Sequence, residues 1–373
     1  MRKYLIAAVA SLLFLTGCWD EKQFKNVKLV LSLGFDQGEE GQIIQTVSIP
    51  SVSRGMEGAG SESVQILSTS AATPLQARDK IDRMISESYD PSKVKVLVLG
   101  EELAKKNIYP VLDDMYRNPR SNLNAYLAVV EEGTAKDVIG MKHSGTPRIS
   151  NYIGGLLEAA VLSTHATGEN LQLLCAELLE PGIDFSVPLL KIEDEGKLLT
   201  FNGMALFHEK AYTGEKIAAE QSTMYMLLQG EKGRVARLTE KIDDHGKEEI
   251  LDYVTVSVAE NDRKMKIENK DGEIAVSIHL DMKVKIVEYP SDHLYVKGKI
   301  DKIGKKLSER LTEESVDIIG QVQEANSDVF GIGRRVKAYH PEVWKELDWG
   351  EEFPQISIEP KVKVEIIQHG IIN

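Results

Sequence analysis

The sequence predicts an α+β protein built as three α+β domains, with a mixed sheet in the first and an antiparallel sheet beside a long helix in the last. Three observations carry this. Residues 94–99 and 125–130 are near-continuous apolar runs separated by helical patterns, as expected of strands covered on both faces. Over 273–289, Ile274, Val276, Ile278, Leu280, Met282, Val284 and Ile286 alternate with polar residues, which marks a long antiparallel strand with one wet face. Ile300, Ile303, Leu307, Leu311, Ile318 and Val322 then recur at helical spacing within 300–326, giving a helix that covers one face of a sheet.

Arg2 and Lys3 precede an apolar run over 4–15 and then Thr16-Gly17-Cys18. That order is the layout of a signal peptide over 1–17. The run of 12 residues is too short to span a bilayer. The string Leu15-Thr16-Gly17-Cys18 is similar to the bacterial lipobox. That resemblance implies cleavage before Cys18 and a thioether from its sulfur to diacylglycerol, with palmitate among the acyl chains. Residues 18–26 are then a lipidated tether, and two or three acyl chains make a durable anchor. No later window approaches 18 apolar residues, so the mature chain is expected to lie on a membrane and not in it.

The net charge of −13, without a basic block, argues against a nucleic-acid partner and leaves membrane binding to the anchor. The 2 cysteines are Cys18 and Cys175. With Cys18 acylated no internal disulfide forms, and Cys175, on a helical pattern, reads as a small buried apolar residue.

The first domain is assigned to 27–195. Residues 27–36 and 43–52 read as a hairpin around the turn 37–41. Residues 53–63 read as a mobile loop, because Gly55, Gly58 and Gly60 match no phosphate-cradling spacing. Thr73-Pro74 with Gln76 opens a helix bearing Ala77, Ile81, Met84 and Ile85 on one face, ended by Asp90-Pro91. Glu101-Glu102 begins another helix, 108–117 a further one stopped by Asn118-Pro119, and 134–141 a short one. Helices over 149–163 and 169–180 are broken at Gly168 and Pro181-Gly182. Strands follow over 185–192 and 198–207, turning at 193–196.

A small middle α+β domain is assigned to 196–250. It includes an amphipathic helix over 216–229 with Ile217, Met224, Leu227 and Leu228, and it closes in the charged stretch 241–249. The last domain, 251–373, adds strands at 253–259 and 264–269 before the long strand and helix. Short helices at 334–339 and 341–347 and a final strand through Val362, Val364 and Ile366 follow.

A search for chemistry returns little. The 8 histidines (143, 165, 208, 245, 279, 293, 340 and 369) include no i, i+4 pair on a helix, and His208-Glu209 lacks the second histidine of a zincin. Cys-x-x-Cys, the G-x-S-x-G elbow and an Asp-rich calcium loop are absent from the sequence. The acid pairs Glu101-Glu102, Asp113-Asp114, Asp243-Asp244 and Glu351-Glu352 point apart on a helix and read as solvated. No catalytic, metal-binding or cofactor-binding residue is expected. Gly331 and Gly333 read as a helix stop, and Trp344 and Trp349 as core. The competing expectation is that apolar residues around Phe330 and Trp349 are exposed and meet a partner.

Several blocks, in order, resemble one family. They are Cys18-Trp19-Asp20 and the strand Val30-Leu-Ser-Leu-Gly-Phe-Asp36, then Val94-Lys-Val-Leu-Val-Leu-Gly-Glu-Glu-Leu103 and Arg117-Asn-Pro119 with Asn124-Ala-Tyr126. Phe201-Asn-Gly-Met-Ala-Leu-Phe207, Asp328-Val-Phe-Gly-Ile-Gly333 and His340-Pro341 with Trp344 and Trp349 complete the series. Ser32 stands where glycine is usual, and Val329 and Ile332 are variants in their block. The chain thus resembles the C subunit of spore germination nutrient receptors, the Ger(x)C lipoproteins. The resemblance implies three α+β domains and a non-enzymatic subunit. It also implies an anchor on the outer face of the spore inner membrane and action with integral membrane A and B subunits. Nutrients then trigger release of ions and dipicolinate. It supplies one site residue, Cys18, the lipid attachment point. The alternatives are a solute-binding lipoprotein that captures the nutrient itself and an extracytoplasmic hydrolase. The antiparallel pattern at 274–288 argues against the first, and the missing motifs against the second.

Overall fold

The computed structural model describes residues 26–53, 61–142, 148–244, 246, 248–270 and 273–370. The signal peptide, Cys18, the glycines of the 53–63 loop, His143 and His245 lie outside the described residues.

Strands β1 (Val27–Leu29) and β2 (Ser32–Gln37) precede the antiparallel pair β3 (Ile43–Ser53) and β4 (Ser61–Ala71). Helix α1 (Pro74–Asp82) starts where expected: Thr73 Oγ1 accepts the Gln76 N–H at 3.2 Å. After β5 (Ser88–Asp90), which pairs with β1, come β6 (Val96–Gly100), α2 (Glu101–Ala104), α3 (Tyr109–Arg117) and β7 (Tyr126–Glu131). Three helices, α4 (Ala135–Gly140), α5 (Ile149–Leu162) and α6 (Leu171–Leu179), lead to β8 (Ser186–Glu193) and the hairpin β9 (Leu198–His208) and β10 (Ala211–Ala218).

Eight strands join in one mixed sheet of order β10-β9-β8-β7-β6-β2-β3-β4. The centre, β2-β6-β7-β8, is parallel and the flanks are antiparallel. The continuous apolar runs follow from burial on both faces. Leu97, Leu99, Leu127 and Val129 pack under α3 and α6, while Val96, Val98, Ala128 and Val130 pack under α4 and α5.

The rest is a second sheet, β11 (Arg237–Lys241), β12 (Tyr253–Lys270), β13 (Glu273–Glu288) and β14 (Ser357–Gln368). Its first three strands run antiparallel, and β14 joins parallel to β13 after a helical crossover. That crossover holds α8 (Lys299–Glu324), α9 (Ile332–Tyr339), α10 (Pro341–Glu346) and α11 (Trp349–Glu352). All seven alternating apolar residues of β13 are buried, and they meet Ile303, Leu307, Leu311, Ile318 and Val322 of α8. Hydroxyls on α8 stitch it to the edge strand: Ser308 accepts the Val364 N–H at 2.9 Å and Thr312 the Val362 N–H at 3.1 Å.

Between the sheets lies α7 (Ser222–Gln229). Met204, Leu206 and Ile217 of the large sheet share one apolar core with α7 and the second sheet. Strands on both sides of position 196 therefore belong to the large sheet.

Four local expectations are corrected. Residues 211–218 are strand, and the helix expected from 216 begins at Ser222. Tyr212 and Ile217 both face the core, but a register shift between Tyr212 and Lys216 breaks the period of two. Ser222 to Leu228 are all buried, so α7 shows no amphipathic stripe. The segments 253–259 and 264–269 are one strand, irregular near Val258. Finally, β4, β5 and β11 were not anticipated: polar residues dominate the edge strands β4 and β11, and the helix expected to end at Asp90-Pro91 stops at Asp82, leaving Ser88–Asp90 as strand.

One buried acid makes the second sheet pH-sensitive. Burial pushes Glu314 on α8 up to about 8, the neighbouring Glu240 adds to this, and Glu314 Oε2 has no hydrogen-bond partner. A carboxyl whose folded pKa lies above its unfolded value retains its proton in the native state. Stability from this group is therefore complete below the unfolded value and falls as pH rises toward about 8. The limiting slope for one retained proton is about 1.4 kcal/mol per pH unit. Denaturant titrations from pH 5 to pH 8 should show this loss in the wild type, and Glu314→Gln should make it shallower by the share of this one carboxyl.

Candidate functional site at the junction of the two sheets

Past α8, Asn326 takes a left-handed φ of 50° and the chain turns into the seam between the sheets. Ser327 and Asp328 are buried there. The Ser327 hydroxyl donates to the Phe207 carbonyl of β9. Asp328 N–H donates to Asp184 Oδ2 at 2.9 Å, and Asp184 N–H returns a bond to the Asp328 carbonyl at 3.0 Å. Asp328 Oδ1 accepts the Ile332 N–H at 2.9 Å, while Oδ2 accepts the Gly333 N–H at 2.7 Å and Trp349 Nε1–H at 3.1 Å. One residue thus caps α9 and fixes the tryptophan of α11 through its carboxylate, and holds the loop before β8 through its backbone. Burial raises Asp328 to about 7 and nearby Asp184 adds to this, while the three donors favour its ionised form.

Asp184 extends the network. Its Oδ1 accepts the Glu209 N–H at 2.6 Å, and its Oδ2 lies 3.4 Å from His208 Nδ1. That contact raises the histidine's pKa.

Glycines let the backbones meet. Gly331 has φ 66°, and a Cβ on Gly333 would lie 2.5 Å from Trp349 Nε1 and 2.9 Å from Gly182 Cα. The helix-stop reading of Gly331 and Gly333 is therefore incomplete: they open α9 and permit close packing. Nor are Phe330 and Trp349 an exposed apolar patch. Phe330 is buried against Tyr225, with ring centroids 6.4 Å apart, and half-buried Trp349 sits between Trp344 and Phe353. The turn at Gly331 brings both into the protein. A cleft of about 550 Å³ remains beside the seam, bounded by Glu177, Asp184, His208, Lys210, Trp344 and Trp349.

Glu177 forms a second polar cluster with Glu169. Burial raises both carboxyls, and they are close enough to share a proton. Cys175 on the same helix is half-buried beside Tyr116, not enclosed as expected.

A comparable device holds the large sheet. Asp36, at the end of β2, accepts the Ala135 N–H at 2.6 Å and the Lys136 N–H at 3.0 Å, capping α4. A side chain at Gly100 would collide with the Asp36 carboxylate, and one at Gly34 would lie 2.6 Å from Ile139 Cδ1. Among the described residues, no group of His, Cys, Asp or Glu is placed to hold a metal ion, and no helix is long and apolar enough to cross a membrane.

Comparison with known proteins assigns these blocks to a family. The spore germination protein N-terminal domain matches residues 20–192, and the Spore germination B3/GerAC-like C-terminal domain matches 202–370. The chain belongs to the GerAC-like family of spore germination proteins.

Spore germination protein GerQC of Bacillus cereus is 22% identical over 372 residues, covering 100% of this chain and 99% of that protein. The putative spore germination protein YfkR of Bacillus subtilis (strain 168) is 23% identical over 398 residues, covering 100% and 98%. The crystal structure of the GerBC protein shares the fold, with a TM-score of 0.56 at 17% identity over 90% of this chain and 96% of that one. These relatives place the GerAC-like chain in spore germination.

Within this family member, the blocks that carried the resemblance serve the seam and the cap. Asp328 to Gly333 builds the junction, and Gly34, Asp36 and Gly100 seat α4. Sequence reading missed Asp184, because Pro181-Gly182 reads as a helix end and nothing local marks the next acid as a partner of residue 328.

Asp328→Ala strands three N–H donors and is expected to cost about 3 kcal/mol or more. A denaturant titration followed by tryptophan fluorescence reads both the loss and the release of Trp349. Asp36→Ala removes a helix cap and should cost about 1–2 kcal/mol in the same assay.

Proposed function

We propose that this chain is the lipid-anchored, non-catalytic C subunit of a nutrient germinant receptor. Cys18 carries diacylglycerol and holds the protein on the outer face of the spore inner membrane. There it works with the integral membrane A and B subunits. The observation that carries this reading is the family match from residue 20 to residue 370, directly behind an N-terminus with the basic, apolar, small-residue and cysteine order of a lipoprotein signal. The shared core supports a role as a rigid interaction module. Met204, Leu206 and Ile217 pack through α7 onto the second sheet, so one apolar core spans both sheets. The acidic body is also consistent with membrane attachment through acyl chains.

Spores carrying Cys18→Ala should lose the response to one class of nutrient, read as dipicolinate release, while still responding to added dipicolinate. The variant chain should also leave the membrane fraction. A normal response to every nutrient from spores carrying this variant and from the full deletion would rule the reading out.

A further inference from the structure

A lysine-rich stretch lies where the second sheet passes into α8. Lys297, Lys299, Lys302, Lys305 and Lys306 fall over 297–306, with Asp301 the one acid between them, in a chain of net charge −13. Gly298, Ile300, Ile303 and Gly304 separate them, so no unbroken basic run marks the stretch. The fold gathers four of these lysines. A cleft of about 310 Å³ is bounded by Lys297, Lys299, Lys302 and Lys306 with Tyr289 and Val296. Lys306 is neutralised by Asp243, which also borders the cleft. Lys299 Nζ donates to the Asp292 carbonyl and lies 5.0 Å from the centroid of the Tyr289 ring. Among the described residues, Lys297, Lys299 and Lys302 pair with no carboxylate.

Beside the lysines stands an apolar crest that the fold holds in place. In the loop between β13 and α8, Leu294 is buried while the next two residues, Tyr295 and Val296, are 65% and 49% exposed. Backbone bonds fix this arrangement. Asp292 N–H donates to the Tyr289 carbonyl at 3.1 Å, and Val296 N–H to the His293 carbonyl at 3.2 Å. Ser291 Oγ donates to the Leu251 carbonyl at 2.8 Å and ties in the turn Glu249–Asp252, whose Ile250 is 66% exposed. Exposed apolar residues grouped beside unpaired lysines mark an interaction surface.

The combination selects the partner. Lysines without acids attract negative charge, while a tyrosine with an apolar body and a polar tip suits the boundary between headgroups and acyl chains. An anionic bilayer satisfies both. The described body begins at residue 26, eight residues after Cys18, a length that spans at most about 28 Å. A tether that short makes lipid headgroups the partner at highest effective concentration.

We propose that this face docks onto anionic phospholipid, with the lysines on the phosphates and Tyr295, Val296 and Ile250 among the headgroups. The inference rests on the reading of the chain as membrane-anchored. It adds a second contact, made by the protein itself, that fixes which way the body faces.

The purified mature chain is mixed with phosphatidylcholine vesicles, with or without phosphatidylglycerol. Its lysines are then acetylated and their rates read by mass spectrometry. With phosphatidylglycerol, Lys297, Lys299 and Lys302 should react roughly tenfold more slowly than with phosphatidylcholine alone. Lys345, in α10 beyond the other end of α8, should react alike on both. Sodium chloride at about 0.5 M, which shortens the screening length to about 4 Å, should remove most of the protection. Lys297→Gln with Lys302→Gln should leave the thermal midpoint unchanged and expose Lys299 to reagent, whereas Lys297→Arg with Lys302→Arg should keep it protected. Equal protection on both vesicles would overturn the proposal, since the anchor alone would then bring the surface close. Protection by inorganic phosphate without vesicles would overturn it in favour of a soluble anion, and unprotected lysines on every vesicle would overturn it outright. The anchor is scored separately, by the mass of the N-terminal peptide and by flotation on phosphatidylcholine alone. A chain without acyl groups that floats only with phosphatidylglycerol and shows the protection would refute the anchor and keep this surface. An acylated chain that floats on both with its lysines unprotected would do the reverse.

Discussion

Asp328 is a carboxylate taken out of water at the seam between two sheets, and the seam is built around its hydrogen bonds. A buried carboxylate without donors is untenable. Here Ile332, Gly333 and Trp349 each supply an N–H, and the Asp328 backbone exchanges two bonds with Asp184. These partners come from α9, α11 and the loop before β8. Satisfying this one residue, side chain and backbone, therefore sets the path of the chain from α8 to β14 and its attachment to the large sheet. Gly182 and Gly333 are small because their backbones meet there.

The same logic operates on a smaller scale in the large sheet. Asp36 leaves the end of a central strand and meets two N–H groups of α4. That cap needs glycine at positions 34 and 100, since any side chain would occupy the space of α4 or of the carboxylate. In both places an acid anchors a helix N-terminus while glycines clear its approach. The helix dipole and the N–H groups it exposes make the start of a helix the natural seat for a buried carboxylate.

Apolar packing then turns two sheets into one body. The parallel centre of the large sheet is covered on both faces, and its β9–β10 hairpin lends Met204, Leu206 and Ile217 to the core of the second sheet. α7 is buried from Ser222 to Leu228 because it lies between them. Clefts remain at the seam and across the starts of β6 and β7.

Much of this was legible in the sequence because the signals are local. Burial on both faces writes continuous apolar runs, as at 94–99 and 125–130, and burial on one face writes the alternation of β13 and the stripe of α8. Thr73 and Thr134 mark helix starts by capping them. The order of small motifs was enough to name the family. What the sequence could not express is long-range pairing. Nothing near Asp328 announces Asp184, which lies 144 positions away. Nothing near Phe330 announces that Gly331 turns it onto Tyr225. The full burial of α7 erased its amphipathic period, and the register shift in β10 erased its alternation. The buried hydroxyl of Ser150 is hidden only once α5 is laid across β6 and β7, because burial is a property of the assembled fold and not of its segments.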